Sequence, residues 1–458
     1  MFERFALVET ALVQMLEEKK YVAARAVLDT MNPSDIAAMF GHMQEKRIPL
    51  LFRLLPKTKA AETFVEMEPE EQELLLSGFS DNELKEMLSE ISDDDAADIA
   101  EEMPANVVRR LLRQADPEMR RAINQLLRYP ENSVGSIMTT EYVTLRPKMT
   151  VEESILRIRR QGVDKETIYT CYVTDNRTLL GVVTVKDLLL CPDDELTVSE
   201  IMTTDVISVN TATDREEASQ LLSHYNFLAL PVVDGENRLV GIVTFDDAME
   251  VLEDAATEDM ELMGGMTPSE KTYLRSSPFE LFKNRVPWLM LLMVSATFTG
   301  LIITAFEGAL AAQVALTAFI PMLMGTGGNS GSQSSVTVIR ALSLGELRLR
   351  DVWHVIAKEL CTAALCGLAL AAVCFGKIWL IDRMLMGNMA ITWQVDLVVC
   401  LTLAVTVVAA KLVGCTLPLA AKALKLDPAV MASPFISTIV DALSLLVYFL
   451  FAKWVLGV

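Results

Sequence analysis

The chain of 458 residues is long enough for two or three domains, is 52% hydrophobic and has a formal net charge of -21. The charge is uneven: residues 1–275 hold 28 Lys/Arg against 52 Asp/Glu, while residues 276–458 hold 12 against 9. An acidic soluble half followed by a membrane half is expected, which excludes a basic face for nucleic acid and makes cation binding the natural use of the acidity.

The opening stretch MFERFALVETALVQMLEEKK alternates charged with apolar residues and lacks the uninterrupted core of a signal peptide. Residues 1–130 read as an all-α acidic domain. Starts at Asn32-Pro33, Glu68-Pro69, Ser80-Asp81, Ser92-Asp93 and Asp116-Pro117 place capping oxygens, early prolines and acidic groups at the positive helix end. Between 68 and 92 the starts recur about every 12 residues, which predicts short helices stacked as a small superhelix.

From residue 131 the texture becomes β-rich and repeats with a period near 60, SIMTTEYVTL answering EIMTTDVISV. Each copy predicts strand, helix, two strands and helix, and each ends in Gly-x-x-Thr-x-x-Asp: Gly181/Thr184/Asp187 and Gly241/Thr244/Asp247. The duplication over roughly 131–252 resembles a pair of CBS domains. In such pairs Thr184, Asp187, Thr244 and Asp247 would hold a ribose, which implies an adenine nucleotide such as ATP. A strand-to-helix cap without ligand is the competing reading of the same residues. An acidic linking helix follows within 246–275, carrying Glu250, Glu253, Asp254, Glu258 and Asp259 and ending at Gly264-Gly265.

Residues 276–458 predict five spans, at about 286–306, 308–339, 359–381, 395–421 and 431–452, each long enough to cross roughly 30 Å of hydrocarbon. Lys283/Arg285, Arg340 to Lys358 and Lys422/Lys425 fall on one side, so the N-terminal half is expected in the cytoplasm and the C-terminus outside. Residues 308–339 are free of charge for 32 positions, roughly 48 Å as one helix. Midway lies GTGGNSGSQSS, which faces either a water-filled path or closely packed neighbours. Asp441 is the only charge between Asp427 and Lys453, and a carboxylate at that depth needs water, a cation or a partner. The seven Cys occur singly and read as buried apolar residues in a reducing compartment. No nucleophile–base constellation or P-loop is present, so the chain is not expected to be an enzyme.

A duplicated CBS unit, five spans, GTGGNSGSQ in the second and DPAVMASPFISTIVD running into the fifth together resemble the MgtE family of magnesium channels. The resemblance implies a homodimer in the plasma membrane, in contact with membrane lipid, with one pore built from the second and fifth spans of both chains and Asp441 at its ion site. It also implies closure by intracellular Mg2+ bound to Glu62, Asp94, Asp98, Glu216, Asp247, Glu250, Glu258 and Asp259, with the linking helix acting as a plug. Asn226, Ala255 and Ser433 depart from the family pattern, the first two where acids are usual. A divalent-cation carrier coupled to another ion is the alternative, with Asp441 as a proton or sodium site.

Overall fold

The computed structural model describes all residues except 1, 270, 272, 274, 275, 388–390, 432 and 458, and all their side chains except those of 2–6, 164 and 433. It divides into two compact units, Met1–Leu252 and Glu253–Val458.

The first unit opens with α1 (Phe2–Glu17), α2 (Tyr21–Asp29), α3 (Pro33–Phe40), α4 (Ile48–Phe52), α5 (Lys57–Val65), α6 (Pro69–Gly78), α7 (Asp81–Leu88), α8 (Asp93–Glu102), α9 (Ala105–Gln114) and α10 (Pro117–Leu126). The expected starts are there for local reasons. Ser80 closes a capping box with Glu83, Ser92 accepts from the Asp95 N–H, and Asp116 accepts from those of Glu118 and Met119. Asn32 and Glu68 make no side-chain cap. At these two starts the first helical residue is Pro33 or Pro69, whose missing N–H leaves one fewer donor to satisfy. The apolar sides meet in a core that includes Phe40, Leu51, Phe64 and Leu75, with the Phe52 and Phe79 rings 5.7 Å apart at its edge.

The repeat then builds β1 (Tyr142–Leu145), α11 (Val151–Gln161), β2 (Thr167–Asp175), β3 (Thr178–Thr184) and α12 (Val185–Leu190). After a short α13 (Val198–Ile201) it builds β4 (Val209–Asn210), α14 (Arg215–Tyr225), β5 (Ala229–Val233), β6 (Leu239–Thr244) and α15 (Phe245–Met263). Each copy has a three-stranded sheet, β1-β2-β3 and β4-β5-β6, with one parallel and one antiparallel pair.

The two copies exchange their leading segments. Thr139 of the first pairs with Ile242 of the second through N–H···O bonds of 2.8 and 2.9 Å, and Thr203 pairs with Val182 at 2.9 and 3.0 Å. This explains the motif glycines. A Cβ on Gly241 would stand 2.7 Å from Met138 Sδ, and one on Gly181 would stand 2.8 Å from Met202 Sδ.

The second unit contains α16 (Pro278–Ala305), α17 (Glu307–Ala312), α18 (Ile320–Ser343), α19 (Val352–Lys377), α20 (Trp393–Ala423) and α21 (Ser433–Leu456). Among the described residues four segments are long and apolar enough to cross a membrane: 278–305, 349–385, 393–423 and 428–456. The chain therefore has a membrane-spanning region. α18 falls outside this set because its glycines, serines, asparagine and glutamine lower its apolarity. The expected single run of 308–339 is also broken: α17 ends at Ala312, a 3-10 stretch covers Val314–Phe319, and α18 begins at Ile320 with Pro321 in its first turn. The absence of charge marked the run as apolar but could not show this break.

The cysteines also differ from expectation. Cys171, Cys374 and Cys415 are buried, but Cys361 is exposed and Cys191, Cys366 and Cys400 are half-buried.

Gly241→Ala should destabilise the first unit by roughly 1–3 kcal/mol through overpacking against Met138. The loss is to be read as a lower midpoint in thermal unfolding of the purified chain.

Candidate functional site

Two groups of residues have a geometry that needs explaining, one in each unit. In the first unit, the Ser92 cap starts α8 so that Asp94 and Asp98, one turn apart, lie on one side of the helix. Asp247 is brought up by the turn from β6 into α15. These carboxylates act on one another: burial, and then the charges of Asp94, Asp247 and Asp95, push Asp98 up to about 8. Burial raises Asp247 to about 7 against the opposing bond from Thr244, with Asp94, Asp246 and Asp95 adding to the rise. Asp95 is pushed to about 6 by burial, despite its Ser92 bond, with Glu250 among the contributing charges. Asp94 is 8% exposed, and its Oδ1 is enclosed without a hydrogen-bond partner among the described residues.

The cluster extends to residues that the sequence reading did not single out. Glu141 and Glu166 are both raised to about 7 by burial first, and then by Asp93 on Glu141 and by Asp94 on Glu166. The Glu166 N–H donates to the Glu141 carbonyl at 3.1 Å, which holds these two segments side by side. Thr140 Oγ1 donates to Asp93 Oδ2 at 3.2 Å, and Lys165 is the cation acting on Asp93 and Glu141. Only three-dimensional proximity joins these residues, so a linear pattern carries no signal for them.

A crowd of carboxylates around an orphaned, buried Asp94 oxygen fits a divalent cation by the chemistry of its donors. Among the described residues no three carboxylate, Cys or His groups stand close enough to grip a bare ion. Asp94, Asp98, Asp247 and Glu250 of the expected set belong to this cluster. Glu62 on α5 and Glu216 on α14 are not among the leading charges acting on it. Asn226 ends α14 in the left-handed conformation with φ 55°.

The Thr and Asp of both repeat motifs bond to each other. Thr184 and Asp187 close a capping box, with Thr184 Oγ1 to Asp187 Oδ2 at 2.5 Å, and Thr244 Oγ1 likewise donates to Asp247 Oδ2. Thr184 is half-buried and Asp187 exposed, whereas Thr244 is buried and Asp247 half-buried, so the first copy is the more accessible of the two.

In the second unit, the glycines of α18 let two helices approach. A Cβ on Gly327 would meet Ser444 Oγ at 2.8 Å and Val440 at 2.9 Å, and one on Gly331 would meet Ile436 at 2.8 Å. Gly331 and Gly414 bring the backbones of α18 and α20 together. These glycines therefore pack, as small residues at helix crossings do. The rest of the stretch behaves differently: Gly325 has open space around it, and Asn329 and Gln333 are exposed.

α18 and α21 run antiparallel, since 327 meets 440 and 444 while 331 meets 436. Asp441, next to Val440, thus lies near the level of Gly327 and Gly328, within about a helical turn of Gly325. It is half-buried, and among the described residues no hydrogen bond or ion pair reaches it.

The end of α15 packs in this unit too. Ser343 Oγ at the end of α18 donates to Asp259 Oδ2 at 2.7 Å, and Leu262 and Met263 join Ile339 and Ala429. Burial raises the Asp259 carboxyl, with Asp427 adding to the rise against the Ser343 bond. Gly265, at φ 70°, leaves room for Pro434, whose Cγ is 3.0 Å from where a Cβ would stand. Glu258 is exposed, Ala255 half-buried, and the Ser433 side chain lies outside the described ones.

Comparison with known proteins accounts for most of the chain. The MgtE intracellular N domain matches residues 31–132, CBS domains match 134–192 and 198–254, and MgtE, a divalent cation transporter, matches 320–451. Magnesium transporter MgtE of Thermus thermophilus is 39% identical over 451 residues, 97% of this chain and 98% of that protein. Its Bacillus subtilis namesake is 33% identical over 443 residues, 96% and 95% of the two chains. The crystal structure of the cytosolic domain of the Mg2+ channel MgtE in complex with ATP is 41% identical with a TM-score of 0.51, covering 53% of this chain and 99% of its own. The soluble part of a magnesium transporter is 29% identical, also with a TM-score of 0.51, covering 55% and 99%. With a relative this similar along nearly its whole length, the chain belongs to the MgtE family of divalent cation transporters.

Proposed function

We propose that this chain is a magnesium channel of the plasma membrane, taking up Mg2+ and closed by intracellular Mg2+. Two copies form one pore from α18 and α21, and Asp441 of each chain holds the passing ion. The five helices α16 and α18–α21 all cross the bilayer, with the first unit cytoplasmic and the C-terminus outside. The carrying observation is the half-buried Asp441 carboxylate, to which no described residue bonds, within about a helical turn of the level of Gly325, where α18 is open. A charge left so in hydrocarbon is costly, whereas at a water-filled dimer axis it meets cations. Mg2+ sheds its water reluctantly, so two carboxylates acting through water bind it weakly enough for release. The names of the relatives, magnesium transporters and a Mg2+ channel, support the choice of ion and of a channel.

Regulation follows from the first unit. Its carboxylates repel one another when α8 lies against β6 and α15, so the docked arrangement is strained by charge. A bound divalent ion supplies the positive charge that offsets this repulsion, favouring the docked state by differential affinity. The superhelical stack of α1–α10 and the linking helix α15, acting as the plug, are the moving parts of this reading. Glu62, Glu216, Glu258 and Asp259 complete the sensor set. ATP is a regulatory ligand of the CBS pair, where it displaces the Thr–Asp bonds. The second copy shares Asp247 with the acidic cluster, so nucleotide and cation compete there.

Asp441→Asn in reconstituted liposomes should lower Mg2+ flux by about 100-fold or more, as the loss of a site charge implies. Unchanged flux would remove Asp441 from the pore, and flux that requires a proton or sodium gradient would make the protein a carrier.

The raised carboxyls also fix the sign of a pH effect. Their folded values, from about 6 for Asp95 to about 8 for Asp98, lie above the usual carboxylate range. The docked state therefore binds protons more tightly, and the stability so gained is complete below the ordinary carboxylate values and lost as pH rises through 6 to 8. In chelator, the thermal midpoint of the full chain should rise as pH falls from 8 to 6, and millimolar Mg2+ should flatten that slope. A slope of opposite sign would contradict the charge-repulsion account.

A further inference from the structure

Two charges within the membrane helices have no part in the pore reading, and they meet at one junction. Lys411 of α20 is 6% exposed. Glu359 of α19 accepts a hydrogen bond from Ser334 Oγ of α18 at 2.7 Å. Their helix register brings them to the same level. Val338 of α18, Val355 of α19 and Cys415 of α20 share one apolar cluster. One helical turn from each, in a consistent direction for α18 and α20 running against α19, lie Ser334, Glu359 and Lys411. Cys415 is within electrostatic reach of both Glu359 and Lys411. Among the described residues no direct ion pair joins the two, and Ser334 holds the Glu359 carboxylate on the side of α18.

The position is next to the proposed pore helix. Ala410, the neighbour of Lys411, has its carbonyl 3.1 Å from where a Cβ on Gly331 would stand. An uncompensated ammonium or carboxylate would be costly in this apolar surrounding, and α18 would shift to let it reach water. A compensated pair leaves α18 seated on α19 and α20, its glycines against α21 and its Gly325–Asn329 side open.

The geometry points to Glu359 and Lys411 as positioning residues, a compensated charge pair that seats α18 so that its open side stands level with Asp441. This rests on the reading of α18 and α21 as the cation path.

The test compares Lys411→Met, Glu359→Gln, the double variant and Lys411→Arg in the full chain. Each neutralising single change should lower Mg2+ flux in liposomes by about 10-fold and shift the half-saturating Mg2+ concentration, because the charge left behind is uncompensated. The double variant should recover both to within about three-fold, since removing both charges strands neither, and Lys411→Arg should keep them. Wild-type behaviour of the single variants, or losses that multiply in the double, would overturn the pair. Thermal midpoints in detergent without Mg2+ read the same coupling independently of transport. Absent wild-type flux with that coupling intact overturns the cation-path reading and keeps the pair, whereas coupling in the midpoint with unchanged half-saturation overturns the positioning role.

Discussion

Negative charges held close together in poorly solvated surroundings set the terms for the first unit. Asp93, Asp94 and Asp95 start α8 with Asp98 one turn further on, Asp246 and Asp247 start α15, and Glu141 and Glu166 stand on adjoining backbone. Each helix start is locally favourable, because acidic side chains suit the positive end of a helix. Brought together they oppose one another, and Lys165 is a small counterweight. The arrangement is thus locally consistent and globally frustrated.

The second unit obeys a complementary rule. Lipid offers apolar surface everywhere, so tight helix contact comes from shape rather than from hydrophobicity. Gly327, Gly331 and Gly414 supply that shape by letting backbones approach, while Gly325, Asn329 and Gln333 remain uncovered. One helix thereby has two duties on two faces, packing on one and polarity on the other. The same sequence property, small residues with few carbons, serves both.

What was legible in the sequence depended on the range of the interaction. Ser80, Ser92 and Asp116 announced helix starts because a cap acts within three residues. The duplicated Gly-x-x-Thr-x-x-Asp gave the two sheets and the strand-to-helix turns, and its Thr–Asp spacing was that of the caps found. The glycine's partner was hidden, since Met138 lies about a hundred positions from Gly241 and reaches it only through the exchange of leading segments. Asp441 stood out because the residues around it are apolar. Glu359 and Lys411 did not, one being near a helix end and the other absorbed into a long hydrophobic run. Hydropathy likewise ran through the break before Ile320, which is a matter of backbone hydrogen bonding rather than apolarity. The comparison with relatives settled the family, which no single motif could do alone.

The exchange of leading segments between the two CBS copies has a consequence for cooperativity. Each sheet is finished by a piece of the other copy, through Thr139 on Ile242 and Thr203 on Val182. If one copy unravels, it withdraws an edge from its twin and exposes unpaired backbone there. The duplicated region is therefore one folding unit despite its two sheets. A disturbance at either strand-to-helix turn is felt by both copies at once, and a single copy cut from the chain would carry an open edge primed to take up the same segment from a neighbour.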